Sequence, residues 1–375
     1  MKFTCSKKIL SNKISIVQKA INNKVTIEQL KGILLVVKDN TLSLTAYDLE
    51  LAIITGMEVE SEENGKTIVN ARLFSELIRK LQNDMVIFSL IDGELNIKCG
   101  RSSYQIKTET TDGYPTLPEL NQEDSYVMYQ SDLKQLIKET SFAVSCDTTK
   151  PILMGEYLEL ENDSITLTAI DGYRLATSSI EFDEDEEDSD EEKLNYKIII
   201  PGKCLNDLSN LLNCAEDEEV KIDFDDKHAI FDINNATVIT RVLSGEFIAY
   251  KKLIPNQYNT KIEIDREAFL NSVERASLIS SQEKNNLVKF EICENSLVIK
   301  SNSDKGKVRE EIDIITEGEE LSIAFNSRYL LEGIRAISSD KINIEFTSSV
   351  NPCILKPVSE ESYIYLLLPV RTSGI

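Results

Sequence analysis

The sequence predicts an α+β fold of three repeated domains, each with two helices lying on antiparallel sheets. The first observation is a near-repeat, because residues 41–54 and 164–177 share Leu-Thr-Ala-x-Asp and alternate apolar and polar side chains around it. This alternation is typical of strands buried on one face. The second observation is the length of 375 residues, which exceeds what one core usually serves. A long-period repeat indicates copies of one unit, and we place them at residues 1–124, 125–254 and 255–375.

Each third opens with the same two elements. A short alternating strand is followed by a segment with apolar residues three and four positions apart, which predicts a helix. The predicted strands are residues 2–5, 126–129 and 261–264, and the predicted helices are residues 6–23, 131–144 and 265–279. Ser6, Ser131 and Asp265 stand at the helix starts, where we expect their side chains to cap the first turn.

A strand pair and a second helix complete each unit. The strand pairs turn where an Asn stands beside an acidic residue, and such side chains favour tight turns. The pairs are residues 33–44, 157–167 and 287–299, the second helices are 71–81, 203–212 and 327–337, and the closing strands lie within 86–108, 220–242 and 342–368.

The composition is that of an ordinary globular protein, with 41% apolar and 28% charged residues. No apolar run approaches the ~20 residues of a membrane span, and strand pattern begins at Lys2 without a signal peptide. We therefore expect a cytoplasmic protein that does not bind membranes. Seven scattered cysteines without a C-x-x-C pair indicate free thiols rather than disulfides or a zinc site.

Charge is distributed unevenly along the chain. The formal net charge of −23 opposes general attraction to nucleic acid. The six predicted helices with their flanking residues nevertheless hold 15 basic and 8 acidic side chains, which leaves −30 for the rest. This segregation fits one helical surface facing phosphates, although helices also tolerate Lys and Arg well. The acidic run at 181–192 predicts a solvated loop rather than a metal-ligating carboxylate cluster.

The residues needed for catalysis are not evident. The single histidine, His228, lies in a polar turn, where we expect it to be exposed and inert. The sequence contains no Gly-rich phosphate loop, nucleophile elbow, dinucleotide fingerprint or zinc-protease motif. Asp48 and Asp171 recur at equivalent repeat positions, which suits turn capping better than catalysis. We therefore expect no enzyme activity, cofactor or metal.

Four segments carry a family resemblance: residues 1–4, 42–50, 169–176 and 368–371. In this order, over all three units, they resemble the bacterial DNA polymerase III beta subunit, the DNA sliding clamp family. The resemblance implies three clamp domains per protomer and a closed ring formed by a head-to-tail homodimer, whose helices surround double-stranded DNA without sequence preference. It also implies a processivity factor that tethers the replicative DNA polymerase alpha subunit. Through short peptides it would further dock the clamp loader, repair polymerases and mismatch-repair proteins.

The resemblance implies three binding surfaces by position. The peptide pocket, between the second and third domains, would comprise Leu153, Ile170, Gly172, Tyr173, Arg174, Leu175, Ile248, Leu253, Leu366, Leu368, Pro369, Val370 and Arg371. The DNA contacts would comprise Lys24, Arg72, Lys150, Pro151, Ile152, Lys203 and Lys252. The subunit junction would join Arg101, Tyr104 and Ile106 to Leu278 and Ile279 of the other protomer.

The residue types suit these roles. Apolar walls accept Leu or Phe anchors, and Arg174 and Arg371 can hold polar groups at the pocket rim, although Leu175 and Leu366 also suit a plain core. Pro151 and Ile152 stand where some family members have aromatic residues, so phosphate contact by Lys150 is favoured over base stacking.

Two other function classes remain open. A peptide-binding scaffold that never meets DNA would share the pocket but not the basic helix faces. A carboxylate-metal nuclease would require Asp or Glu side chains clustered in space and stoichiometric binding of Mg²⁺.

Overall fold

The structure is a computed structural model that describes residues 1–22, 24–82, 84–117, 125–161, 163–182, 196–213, 218–234, 236–281, 286–358 and 362–371. The predicted acidic loop therefore lies outside the described residues, apart from its first two positions. The chain forms two compact units, residues 1–131 with 207–242 and residues 132–206 with 243–375. Both units consist of antiparallel strands and helices, as predicted. The domain boundaries at 124 and 254 stay predictions.

The described chain contains six α-helices and 26 strands. The helices are α1 (Lys7–Val17), α2 (Ala71–Lys80), α3 (Gln130–Thr140), α4 (Gly202–Ser209), α5 (Arg266–Ser280) and α6 (Ser327–Ala336). The strands are β1 (Lys2–Ser6), β2 (Gly32–Lys38), β3 (Thr41–Tyr47), β4 (Leu51–Glu58), β5 (Glu60–Glu63), β6 (Gly65–Asn70), β7 (Met85–Ile91), β8 (Glu94–Cys99), β9 (Ser102–Glu109), β10 (Tyr126–Tyr129), β11 (Gly155–Leu160), β12 (Ser164–Ile170), β13 (Arg174–Glu181), β14 (Tyr196–Pro201), β15 (Glu219–Phe224), β16 (His228–Ile233), β17 (Ala236–Arg241), β18 (Thr260–Asp265), β19 (Leu287–Ile292), β20 (Ser296–Ser303), β21 (Gly306–Asp313), β22 (Ile315–Gly318), β23 (Leu321–Asn326), β24 (Lys341–Phe346), β25 (Cys353–Pro357) and β26 (Tyr363–Leu367).

The first unit is organised around one 13-stranded sheet in the order β10-β15-β16-β17-β4-β3-β2-β6-β9-β8-β7-β1-β5. Strand β17, distant in sequence, joins the sheet by pairing with β4. Helices α1 and α2 pack side by side, and Leu10, Ile14, Phe74 and Ile78 from the two helices are fully buried. The helices therefore bury one apolar stripe each and leave their polar sides to solvent.

The second unit contains a nine-stranded sheet, β14-β11-β12-β13-β26-β25-β24-β18-β22, and a four-stranded sheet, β21-β20-β19-β23. Helix α5 packs on β20 and β21 and beside α6. The core between these helices and the sheets contains the edge-to-face pairs Phe269–Phe290 and Phe290–Phe325. The pairing of β13 with β26 brings together segments that lie far apart in sequence.

The helix starts differ in how they are capped. Asp265 caps α5 as predicted, since its Oδ1 accepts a hydrogen bond from a backbone N–H of the first turn at 2.8 Å. Ser6 precedes α1, but its hydroxyl bonds to Asp84 at 3.0 Å instead of to the helix. The expected cap Ser131 is wrong, because β10 leads directly into α3 at Gln130 and Ser131 already lies inside the helix.

The predicted turn chemistry is confirmed. The Oδ1 atom of Asp48 accepts hydrogen bonds from the backbone N–H groups two and three residues ahead, at 3.1 and 2.8 Å. Asp171 makes the equivalent bonds at 2.8 and 3.0 Å. Between β2 and β3, Asp39 and Asn40 have φ of 48° and 60°, a left-handed conformation that these two residue types tolerate. Short polar side chains therefore fix the strand connections.

One carboxyl group is buried beneath the end of α3. Glu156 on β11 is fully buried, and its Oε2 lies 2.6 Å from the Thr140 hydroxyl, which in turn lies 2.7 Å from the Leu136 carbonyl oxygen. Its Oε1 has no hydrogen-bond partner among the described residues. Burial raises the pKa of Glu156 to about 8. The protonated carboxyl can donate to Thr140 while Thr140 donates to Leu136, which satisfies both hydroxyls.

Several other predicted features can be located in the structure. The six described cysteines are free thiols, namely Cys5, Cys99, Cys146, Cys204, Cys293 and Cys353. Within the described residues, no three His, Cys, Asp or Glu side chains are placed to hold a metal ion, and none of the helices described there is long and apolar enough to cross a membrane. His228 is half-buried rather than exposed, because it begins the paired strand β16 and its Nδ1 lies 3.1 Å from Asp225.

Candidate functional site

An apolar floor lies in the second unit beside the β13–β26 pairing. Five side chains form it, each no more than 6% exposed: Leu153, Ile170, Leu175, Tyr250 and Leu366. The register of β13 and β26 sets Leu175 directly opposite Leu366, which explains why residues so far apart in sequence meet. Tyr157, Phe247 and Ile254 pack against the cluster from its edge.

Exposed apolar side chains surround this floor. Tyr173 is 61% exposed, and Leu368, which follows β26 directly, is 38% exposed. Ile248 and Leu253 are exposed to a similar degree. The Leu368 N–H donates to the Tyr173 carbonyl oxygen at 2.9 Å, which holds together the residue that follows β26 and the residue that precedes β13. A buried apolar floor with an exposed apolar rim is the surface on which a short peptide places aromatic or aliphatic anchors.

The turn before Tyr173 depends on glycine. Gly172 has φ of 94°, a conformation that glycine adopts without strain. Its position between Asp171 and Tyr173 turns the chain so that Tyr173 points away from the core, where it stacks on Tyr329 with ring centroids 6.1 Å apart.

Arg174 differs from the expected rim residue. Its side chain is 6% exposed, its Nε donates to Asp171 at 2.9 Å and its Nη2 donates to the Phe142 carbonyl oxygen at 2.5 Å. Its Nη1 donates to Glu332, and its guanidinium carbon lies 4.4 Å from the centre of the Tyr329 ring. Arg174 is therefore buried and bonded to neighbouring groups rather than exposed at a rim, and sequence reasoning missed its partner Glu332.

Replacing Arg174 by methionine is expected to destabilise the protein by about 2 kcal/mol, because Asp171 and Glu332 lose a buried partner. Arg174→Lys is expected to restore little of this, since an ammonium cannot reproduce the forked geometry. The measurement is the urea unfolding midpoint. Arg72→Met is the control, since Arg72 forms only an exposed i,i+4 pair with Glu76 and should cost less than about 0.5 kcal/mol. Equal losses in both variants would contradict the assigned role.

The last three residues expected in the peptide pocket continue from Leu368. Pro369 and Val370 are half-buried and Arg371 is exposed. The Val370 N–H donates to the Ala324 carbonyl oxygen on β23 at 2.8 Å. This bond ties the segment after β26 to the four-stranded sheet.

The residues expected to contact DNA lie in both units. In the first unit, Lys24 is exposed and Arg72 is exposed on α2. The exposed residues of the second unit are Lys150 and Pro151 at the start of the short 3-10 helix Pro151–Met154, Lys203 on α4, and Lys252 in the 3-10 helix Tyr250–Lys252. Ile152 differs, because it is half-buried and lies over Gly245, where an added Cβ would come within 2.6 Å of it.

Three basic side chains of helices α1 and α2 line a common groove. The groove has a volume of about 530 Å³, and its lining includes Lys7 and Lys8 from α1, Arg79 from α2 and the acidic Asp84. The Lys7 ammonium donates to the Leu81 carbonyl oxygen at 2.6 Å, where it stabilises the C-terminal end of α2. The lysine-rich first helix is therefore basic in space as well as in sequence.

The third pair of helices carries no net charge in the sequence count, because four arginines face four acidic residues there. Arg275 pairs with Glu310 at 2.6 Å, and Arg335 pairs with Glu274 at 2.7 Å. Arg328 pairs with Glu332 at 3.1 Å, and the same carboxylate also holds Arg174. Glu274 and Glu332 lie on the two helices themselves, whereas Glu310 on β21 adds a carboxylate that a count along the helices does not include.

The residues expected at a subunit junction lie beside open strand edges. Strand β9 pairs with β6 only through its last two residues, which leaves residues 102–107 open on that edge, and β21 pairs only with β20 among the described strands. Tyr104 is exposed on β9 beside Arg101. On α5, Leu278 is 69% exposed and Ile279 is half-buried. Ile106, however, is buried, with only 7% of its surface exposed.

Comparison with known proteins gives the family. Three DNA polymerase III beta subunit families match in order: the N-terminal domain at residues 1–118, the central domain at 127–248 and the C-terminal domain at 251–371. The "Beta sliding clamp" of Staphylococcus epidermidis is 32% identical over 99% of this chain and 100% of its own, and that of Staphylococcus aureus is 30% identical over the same shares.

Solved structures agree with this assignment. The DNA polymerase sliding clamp from Bacillus subtilis has a TM-score of 0.95 and 32% identity over 100% of both chains. A putative DNA polymerase III beta subunit from Eubacterium rectale has a TM-score of 0.93 and 29% identity over 99% of this chain and 100% of its own. Since the matches cover all three domains, the chain belongs to the DNA polymerase III beta subunit family, the beta sliding clamps.

Proposed function

We propose that two copies of this chain close head to tail into a ring around double-stranded DNA and tether the replicative DNA polymerase to its template. The observation that carries the proposal is the full-length match, in order, of three clamp domains. As a member of this family the chain is a non-catalytic processivity factor, which confirms the expectation that it is not an enzyme.

Enclosure explains how an acidic protein holds DNA. Non-specific phosphate contact gives dissociation constants of only about 10⁻⁴ to 10⁻⁶ M, which is too weak for processive synthesis. A closed ring cannot dissociate sideways, so a few exposed cations suffice and the ring remains free to slide. Lys24, Lys150, Lys203 and Lys252 are the proposed contacts, and Arg72 would have to exchange its bond to Glu76 for a phosphate.

Partners are proposed to dock on the apolar floor and its rim. Leu or Phe anchors from the polymerase alpha subunit, the clamp loader, repair polymerases and mismatch-repair proteins would insert beside Leu368 and Tyr173, above Leu175 and Leu366. The buried floor and exposed rim support this assignment. We also propose domain boundaries at 124 and 254 and a cytoplasmic location, where replication partners would be available.

The ring is tested by loading the protein onto nicked circular DNA and comparing its retention before and after the DNA is linearised. We expect retention on closed circles and loss from linear ends. Leu278→Asp is the matched control, because a charge on this exposed apolar side chain should open the proposed junction and abolish retention on circles too. Equal loss of the unaltered protein from circles and linear DNA would remove the ring proposal.

Retention on circles, binding of the polymerase tail and calorimetry with Mg²⁺ together separate the two alternatives. A peptide-binding scaffold that never meets DNA would bind the polymerase tail but not remain on circles. A carboxylate-metal nuclease would cleave the DNA and bind Mg²⁺ stoichiometrically in calorimetry.

A further inference from the structure

A basic groove lies along the four-stranded sheet in the second unit. Its volume is about 1020 Å³, and Val370 and Arg371 form one of its walls. These two residues also belong to the proposed peptide pocket, so the groove continues directly from that pocket. The remaining lining comes from the loop at Ser349 and Val350 and from β19, β20, β21 and β23.

Three cations form a row across the sheet in this groove. Lys289 on β19 is paired in register with Lys300 on β20, and Lys300 is paired with Arg309 on β21. On the other side, Lys289 is paired with Ala324, whose carbonyl oxygen accepts from Val370. Directly opposed like charges on neighbouring strands are unfavourable. The row therefore runs from the pocket segment across the sheet. The repulsion between its cations is unfavourable, and an anionic ligand would reduce it.

The charge of the groove is opposite to that of the chain. Five basic side chains line it, adding Lys307 and Arg371 to the row, and none of the described lining residues is acidic, in a chain with a net charge of −23. Glu291 holds Lys289 and Lys300 at 3.4 and 2.5 Å, and Glu311 holds Arg309 at 2.8 Å. These carboxylates stand in the next row of the sheet, so they neutralise the cations only in part.

Apolar side chains between the cations favour a peptide over a nucleic acid. Leu287, Val308, Ile323 and Val350 contribute to the lining, and Val350 is 59% exposed. Single-stranded nucleic acid is usually bound with the help of aromatic stacking, and the described lining contains no aromatic side chain. Adjacent strands lie about 4.8 Å apart, so crossing from Val370 to Arg309 would take an extended segment of roughly six residues.

We propose that this groove binds an acidic segment next to the apolar anchor of a partner peptide, a specificity element that rests on the proposed pocket. Glutamate or aspartate side chains of the partner face Lys289, Lys300 and Arg309 while its Leu or Phe anchor occupies the floor beside Leu368. Charge complementarity here discriminates among partners that carry the same apolar anchor.

Fluorescence anisotropy with four labelled peptides tests this element. All four carry one Leu/Phe anchor, and they differ only in a six-residue flank of alternating Glu-Ser or Gln-Ser placed before or after the anchor. We expect all four to bind, and one Glu flank to lower the dissociation constant about tenfold at low salt. The advantage should disappear near 0.5 M salt, where such contacts are screened.

The variant Lys289→Gln with Lys300→Gln is expected to remove the advantage of the Glu flank while binding of the Gln-flanked peptides stays unchanged. Lys305→Gln is the matched control, because Lys305 lies on the β20–β21 turn and does not line the groove. Thermal unfolding of the double variant checks that it is folded. Equal affinity for Glu and Gln flanks would overturn the proposal and leave the pocket intact, whereas failure of all four peptides to bind would overturn the pocket as well.

Two further outcomes would assign the groove to another occupant. Displacement of the Glu-flanked peptide by an oligothymidylate, lost in the double variant, would indicate nucleic acid. A change in the mass of the assembly caused by the double variant would indicate a second copy of this chain. Either result would overturn the acidic-peptide proposal.

Discussion

Replacing Leu368 and Val370 together by alanine is expected to weaken binding of a Leu/Phe-containing polymerase tail at least about 100-fold. Leu368 stands exposed beside the buried floor, and truncation of a central apolar contact typically costs about 2 kcal/mol or more. The backbone bonds of both residues to Tyr173 and Ala324 do not involve their side chains and are retained. Fluorescence anisotropy with the labelled tail peptide measures the loss.

The dimer should be unaffected by this double substitution, because both residues lie away from Leu278 in the proposed assignment. Ile315→Ala is the control, since Ile315 is an exposed apolar residue on β22 outside the proposed pocket. An unchanged affinity of the double variant for the peptide would refute the pocket. Loss of the dimer in the same variant would show that the substitution acts through assembly instead.

Glu156 is expected to make the stability of the protein fall as the pH rises. Its pKa is raised from 4.5 to about 8 in the folded protein, and burial is the largest cause. Between these two values the folded state keeps a proton that the unfolded state has lost, so the free energy of unfolding decreases with increasing pH. The decrease begins above pH 4.5 and ends as the pH passes about 8, with a total on the order of 4 kcal/mol.

Urea unfolding at pH 5.5, 7 and 9 measures this dependence. Glu156→Gln has no proton to lose, so its stability should exceed that of the unaltered protein by a margin that grows with pH. The control Glu109→Gln replaces an exposed carboxylate and should change the free energy of unfolding by no more than about 0.5 kcal/mol at each pH. Parallel pH profiles for the unaltered protein and Glu156→Gln would show that Glu156 stays ionised in the fold.

Local chemistry made much of the fold predictable from the sequence. The capping aspartates Asp48 and Asp171 and the helix start at Asp265 depend on hydrogen bonds to nearby backbone, and the turn at Asp39 and Asn40 depends on their own left-handed φ angles. The three aspartates act within three residues of themselves, so the sequence contains the whole interaction.

Interactions between distant segments were not predictable in the same way. Arg174 was expected at the pocket rim, where it could hold polar groups of a peptide, but its side chain is buried and bonds to Glu332, 158 positions away in the sequence. Ile106 follows the same pattern, because it is the one buried residue of β9 and lies opposite the buried Leu95 of β8, a pairing that the sequence of β9 alone does not give. The row formed by Lys289, Lys300 and Arg309 likewise depends on two strand registers at once.

The position of β26 has a mechanical consequence. It is the fifth of nine strands, with β13 on one side and β25 on the other, and Leu368 follows it without a break. Tension applied by a partner anchored at Leu368 therefore runs along β26 and loads two ladders of hydrogen bonds in shear at once, whereas an edge strand would peel away one bond at a time. A tether attached here would resist the drag of a moving polymerase without unravelling the domain that holds it.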